Sequence, residues 1–182
     1  MWRRLAALLF GLALIGCATQ NLSYQDIQER EKLIEKEKEF FSGATLVALD
    51  QWRVQIEYHS PDGRAYLWYP GNVAVNQGQW DVRARKDSWD LMLCWRYMTS
   101  TNTKPFGTRG DGATCKAIGL TKRNSWYEGD PYNLQSGRIP FVIPRGTTTH
   151  DPSLGPNTQG PDQLNLVIAR TGINPANLRQ RR

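Results

Sequence analysis

Few of the residues that ordinarily perform chemistry stand close enough together in this 182-residue sequence to do it. There are two histidines: His59 ends an alternating run, and His150 lies in a Gly/Pro/Thr/Ser-rich stretch. A zinc centre needs three or four ligands with close spacing somewhere. No such set is present, so neither a metal nor another cofactor is expected. No Gly-x-Ser-x-Gly elbow and no phosphate-cradling Gly-x-x-x-x-Gly-Lys loop occurs. His59 therefore reads as an exposed strand residue rather than a general base. Glycosidases need two carboxylates about 5–9 Å apart. The candidates are Asp87 with Asp90 and Glu128 with Asp130, all in turn-like surroundings that favour solvated acids. No catalytic residue is assigned, and the protein is expected not to be an enzyme.

Aromatic and sulfur chemistry is better represented. Trp52, Trp80, Trp89 and Trp95 fall on the apolar faces of alternating runs and are expected in the core. Tyr66 and Trp68 lie on the face opposite Leu67, and Trp126-Tyr127 sits beside the acidic pair. These four, Tyr66, Trp68, Trp126 and Tyr127, are the candidates for a ligand or partner surface, because flat rings give large contact area at low entropy cost. Plain packing is the alternative.

The elements that would position these residues can be read from periodicity. Ser23 with Asp26 has the form of a helix capping box. The run to Phe41 carries charges at every turn, with a thin apolar stripe of Ile27, Leu33, Ile34, Phe40 and Phe41. This predicts a charged helix over 23–42, either solvated or partner-binding. From Gly43 the period changes to two. Trp52, Val54, Ile56 and Tyr58 alternate with Arg53, Gln55, Glu57 and His59, which predicts a half-buried strand. Ser60-Pro61-Asp62-Gly63 is a strong turn. Strands are also expected at 65–69, 73–75, 79–85, 89–97 and 114–120, with weaker ones at 125–127, 138–144 and 163–169. Turn-punctuated strands at about ten-residue spacing argue for an antiparallel meander, a small barrel or sandwich, over 43–145. Residues 146–182 read as a Gly/Pro-rich linker and a basic C-terminal arm ending Arg179, Arg181, Arg182. Asn174-Pro175 resembles a cap and first turn within it.

The first residues carry an address. Arg3-Arg4 precede the apolar stretch Leu5–Ala13, and Leu14-Ile15-Gly16-Cys17 follows. A basic start, a short apolar core and small residues describe a secretory signal, and about a dozen apolar residues are too few to cross a bilayer. The cysteine after Gly16 makes the segment resemble the bacterial lipoprotein signal, or lipobox. That resemblance implies removal of residues 1–16 and acylation of the sulfur and new amino group of Cys17, with 17–22 as a tether. An ordinary signal with an incidental cysteine is the alternative. Several acyl chains give a lasting anchor where one does not. Ala18, rather than Asp, follows Cys17. In lipoprotein sorting this implies the outer membrane, facing the periplasm.

Export bears on the rest. Loss of Arg3 and Arg4 leaves 21 Lys+Arg against 17 Asp+Glu, a net +4. Such mild, interspersed charge shows no duplex-binding stripe, and nucleic acid is not an expected partner. The expected partners are the membrane, through acylated Cys17, and a protein of the envelope. In an oxidising compartment, Cys94 and Cys115 read as a disulfide; free or redox-active thiols are the alternative.

A looser likeness covers about residues 43–120. Asp62-Gly63, then Gly78-x-Trp80, then Leu93-Cys94-Trp95 and a later Cys115 look similar to small exported proteins with lipocalin- or avidin-like barrels. It implies a barrel and carries over no catalytic residue. The functional expectation is a lipid-anchored, non-catalytic accessory or structural component of an envelope assembly. A barrel binding a glycan or small apolar molecule is the other reading.

Overall fold

The computed structural model describes residues 23–49, 53–85, 88–97, 113–145 and 159–182. Cys17, the tether, Trp52, Asp87, the loop 99–112, His150 and most of the expected linker lie outside them.

The capping box forms. The Ser23 hydroxyl accepts from Asp26 N at 3.1 Å, and the Ser23 amide donates to Asp26 Oδ2 at 2.9 Å. The Ser23 hydroxyl, which also donates to Asp26 Oδ2 at 2.7 Å, and then the Ser23 amide hold the Asp26 carboxyl below its ordinary range. They open helix α1, Tyr24–Phe41. Seven antiparallel strands follow: β1 (Ala44–Leu49), β2 (Val54–His59), β3 (Arg64–Trp68), β4 (Asn76–Ala84), β5 (Leu91–Tyr97), β6 (Thr114–Ala117) and β7 (Ser125–Glu128). They form one curled half-barrel sheet in the order β6-β5-β4-β3-β2-β1-β7. The meander β1 to β6 is in chain order. β7 returns after the short helix α2 (Ile118–Thr121) to pair with the free side of β1. The protein is thus mainly β with a charged helix in front. A curled sheet with two edges replaces closure.

Both sheet faces are covered, which explains the largest departures from the periodic reading. On one face, Ala44, Leu46, Ala65, Trp80, Val82, Leu93, Trp95 and Trp126 pack with Phe41 of α1 and Ile118 of α2. On the other, Val47, Val54, Ile56, Tyr58, Tyr66 and Trp68 pack with Tyr132, Leu134, Ile143 and Val167. The cover on that second face is a coil through 138–145 and helix α3, Gln159–Thr171. Residues 163–169 are therefore helical, not a strand. Leu164, Leu166 and Ile168 alternate, but Leu164 and Val167, three apart, are the side chains that meet the sheet, and Pro161-Asp162 suits a first helical turn. Residues 138–144 are likewise coil, where Pro140 and Pro144 forbid ladder donors. They are held by bonds such as Gly71 N to Ile143 O at 2.8 Å. The expected strand at 73–75 is part of the turn before β4, with Val73 on the surface.

The C-terminal arm folds back onto the domain. Asn174 caps a 3-10 turn at Pro175–Asn177. Beyond it Glu128 N donates to Arg179 O at 2.9 Å and Arg181 N to Trp126 O at 2.8 Å, with Gln180 bridging Tyr127. The tail thus adds three residues to the outer edge of β7, covering donors that an edge strand otherwise leaves open. The Arg181 guanidinium then donates to Glu39 O at 2.8 Å and Phe40 O at 2.6 Å. These are orphan carbonyls at the end of α1, where a cation also suits the helix dipole.

Cys94 and Cys115 are bonded, with Sγ atoms 2.06 Å apart. They sit opposite one another across β5 and β6, so the bond fastens the short edge strand to the sheet. Chain entropy over a loop of this length gives about 3 kcal/mol. The double substitution Cys94→Ser/Cys115→Ser should lower stability to urea by about that amount, and reductant should do the same to the native protein. An unchanged midpoint in both would mean that the bond contributes nothing.

Candidate functional site

Polar side chains gather on the α1 face of the sheet, at the level where β2 crosses β1, β3 and β5. Alternation along β2 sends Gln55, Glu57 and His59 to this face, and strand register sets Leu46 and Leu67 on either side of Glu57. Glu57 is 1% exposed and His59 is 0% exposed. His59 is therefore a core residue, contrary to the exposed position that its strand-end location suggests. Alternation marks solvent only when one face of a sheet is bare, and β2 is covered on both.

The network is dense. Gln55 Nε2 donates to Glu57 Oε2 at 3.0 Å, and the Tyr97 hydroxyl makes a short bond to Glu57 Oε1. His59 Nε2 lies 3.1 Å from the same Oε1 and 2.9 Å from the indole Nε1 of Trp95. Trp80 stacks on the imidazole at 4.9 Å and 9° between planes, and Trp126 tilts over it at 5.1 Å. Phe41 approaches Trp126 to 4.9 Å and closes the α1 side. Buried indoles need acceptors: Trp80 donates to Ser60 O and Trp126 to Thr121 O, both at 2.9 Å.

Gly78 makes room for this arrangement. It faces Tyr97 across β4 and β5, and a Cβ there would lie 2.6 Å from the Tyr97 ring and 2.5 Å from Arg96 O. The Gly78-x-Trp80 pattern thus has a local cause: glycine admits the phenol that reaches Glu57, and two residues on the tryptophan stacks on His59.

One nitrogen in this network faces incompatible demands. His59 Nε2 must donate to a carboxylate oxygen and accept from Trp95, while His59 Nδ1 has no hydrogen-bond partner. If Nε2 carries the hydrogen, the Trp95 N–H has no acceptor. If Nδ1 carries it, that N–H has none. Every protonation pattern leaves one buried N–H unmet, at about 1–3 kcal/mol.

Carboxylate, imidazole and phenol in one chain are general acid–base groups by type. Here Glu57 and His59 are buried, the imidazole beneath Phe41, Trp80 and Trp126, while Tyr97 is half-buried. What the arrangement does is hold β2, β5 and the ends of α1 in register. The Tyr97 phenol is pushed well above its ordinary range by burial first, then by the charge and hydrogen bond of Glu57.

The sequence candidates are dispersed. Tyr66, Trp68 and Trp126 are not a recognition surface, because all three are buried in the two cores. Trp68 donates to Phe141 O at 3.1 Å and packs edge-on against Phe141 and Tyr132. Tyr127 is half-buried behind Gln180. Glu128 pairs with Arg179 at 3.3 Å, while Asp130 accepts from Leu134 N and Gln135 N, so the two acids serve separate ends of one turn. Trp80 and Trp95 are core as expected, but Trp89 lies outside β5 and is 42% exposed. Among the described residues no cluster of three or more His, Cys, Asp or Glu side chains could hold a metal ion, and no helix is long and apolar enough to cross a membrane. The Glu57–His59–Tyr97 network was missed because its members are far apart in sequence. The polar positions Gln55, Glu57 and His59 alternating on one strand were its only local signal. No protein-family model matches the chain, and neither a curated protein nor a solved structure matches it.

Two outcomes follow. A double-mutant cycle of Glu57→Gln with Tyr97→Phe should give a coupling of about 1.5–3 kcal/mol, as for a hydrogen bond to a charged group; additive effects would show that the carboxylate does not hold the phenol. Secondly, Tyr97 and Tyr132 (the latter pushed up to about 12, by burial and then by Tyr127) keep their protons in the fold after an unfolded tyrosine would lose them near 10. Their stabilisation is complete below about pH 10 and is lost as pH rises toward the folded values. Stability should fall above about pH 10, and Tyr97→Phe/Tyr132→Phe should flatten that fall. A slope unchanged in the double variant would contradict the assignment.

Proposed function

We propose that the protein is a lipid-anchored component of the bacterial envelope, held by acylated Cys17 at the periplasmic face of the outer membrane, and that it acts as a non-catalytic accessory or structural subunit. The lipobox order Leu14-Ile15-Gly16-Cys17 supports the anchor. The observation that carries the accessory reading is the filled interior: on the α1 face of the half-barrel, Phe41, Trp80, Leu93, Trp95 and Trp126 occupy the space that a hollow barrel would offer a ligand. Small-molecule sites are concave and largely preformed, so the described core favours this reading over a barrel binding a glycan or small apolar molecule.

The outward features fit a component that meets other macromolecules. The first three turns of α1 stand clear of the sheet, with Tyr24, Ile27 and Leu33 exposed among alternating charges. An exposed disulfide-fastened edge lies at β6. Two experiments test the proposal. Radiolabelled palmitate should enter the wild-type chain and be absent after Cys17→Ser, whose product should leave the membrane fraction. In-cell crosslinking followed by mass spectrometry should give one recurrent envelope protein. A palmitate-free chain would remove the anchor; a labelled chain with no reproducible adduct would remove the accessory role and keep the anchor.

A further inference from the structure

The sheet and helix share a direction. β4 pairs with β3 only as far as Gln79 opposite Arg64, and then continues with β5 to Ala84 opposite Leu91. The β4–β5 hairpin therefore overhangs β3 by five residues, about 16 Å at strand rise. Helix α1 lies along this overhang. Phe41 packs at His59, level with Ala65 and Gly78, whereas Lys38, one turn earlier, pairs with Asp81 at 3.3 Å. Ile34, one further turn back, packs on the same core, as does Leu91 at the start of β5. Moving toward the start of α1 is moving toward the hairpin tip. From Phe41 to Tyr24 the helix rises about 26 Å, so its start stands at roughly the height of the tip.

We infer that Trp89 and Arg85, at the end of the β4–β5 hairpin, form a membrane-contact surface against the phospholipid headgroup layer to which Cys17 is fixed. The inference rests on the anchoring reading above. Only residues 17–22 separate the lipidated cysteine from the cap of α1, a span of at most about 20 Å. The end of the domain that faces the bilayer is therefore the end carrying the tip. That tip presents Trp89, a large ring 42% exposed, beside the exposed Arg85. Tryptophan prefers the interface, where its apolar ring and N–H are both served. Arginine adds a donor fork for lipid phosphate. Arg85 N donates to Asp90 O at 2.8 Å and Asp90 N to Ser88 Oγ at 2.9 Å, so the backbone on either side of Trp89 is held. Arg83, pairing with Asp81 at 3.1 Å, lies on the outward side of the same hairpin. A second attachment beside the anchor would set the orientation of the domain and fix which edges face the periplasm.

The test uses the full-length lipidated protein, its palmitate verified, in vesicles of phosphatidylethanolamine and phosphatidylglycerol containing a lipid brominated near the headgroup. Brominated lipid should quench part of the tryptophan emission, and Trp89→Phe should abolish most of that quenching while leaving the circular dichroism unchanged. Arg85→Glu, a second surface change, should weaken the quenching with Trp89 still present. Quenching that survives Trp89→Phe overturns the contact and leaves the anchor standing. So does a photocrosslinker at position 89 that captures protein rather than lipid in cells. A chain without palmitate that fails to bind vesicles overturns both.

Discussion

A carboxylate without water organises this fold. Glu57 stands on a strand covered on both faces, and an ionised carboxylate there is tolerable only if donors replace its hydration. Gln55 and Tyr97 supply them from β2 and β5, and His59 Nε2 lies 3.1 Å away. Their positions in turn require Gly78 to leave room for the phenol, Trp80 and Trp95 to wall the imidazole, and Phe41 to seal the helix side. Removing one partner strands a buried charge, so the network specifies register as much as it stabilises. An apolar core of similar volume would permit more than one seating of α1; a carboxylate that needs its partners at set distances does not.

Much of the architecture was legible because it depends on local rules. The Ser23/Asp26 box, the Pro61-Asp62-Gly63 turn and the alternation of Trp80 and Val82 with Asp81 and Arg83 each report backbone geometry within a few residues. What the sequence concealed depends on covering. Whether the polar face of β2 meets water is decided by α1 and α2, and whether Tyr66 and Trp68 are exposed is decided by residues 132–145 and α3, more than sixty positions away. Residues 163–169 satisfy both a two-residue and a three-to-four-residue period; only the presence of a sheet face to cover distinguishes them. The candidate network was the least legible part, since Glu57 and Tyr97 are joined only when β2 and β5 share a curled face.

The same covering bears on function. A half-barrel whose interior is filled by its own indoles has placed its aromatic chemistry in the core. On the accessory role proposed above, recognition falls to the periphery: a helix with a charged, mostly free surface, a fastened edge strand and an exposed tryptophan on an overhanging hairpin.

The grip of Arg181 on the carbonyls of Glu39 and Phe40 closes a span of 142 residues. Contacts of such separation form late, because the intervening chain must order first. For a polypeptide made from its amino end, the helix emerges early, yet the Arg181 grip on its last turn waits until nearly the whole chain has followed. A prematurely released fragment would carry the helix but lack the latch. It would offer quality-control proteases a frayed helix end that the finished molecule never exposes.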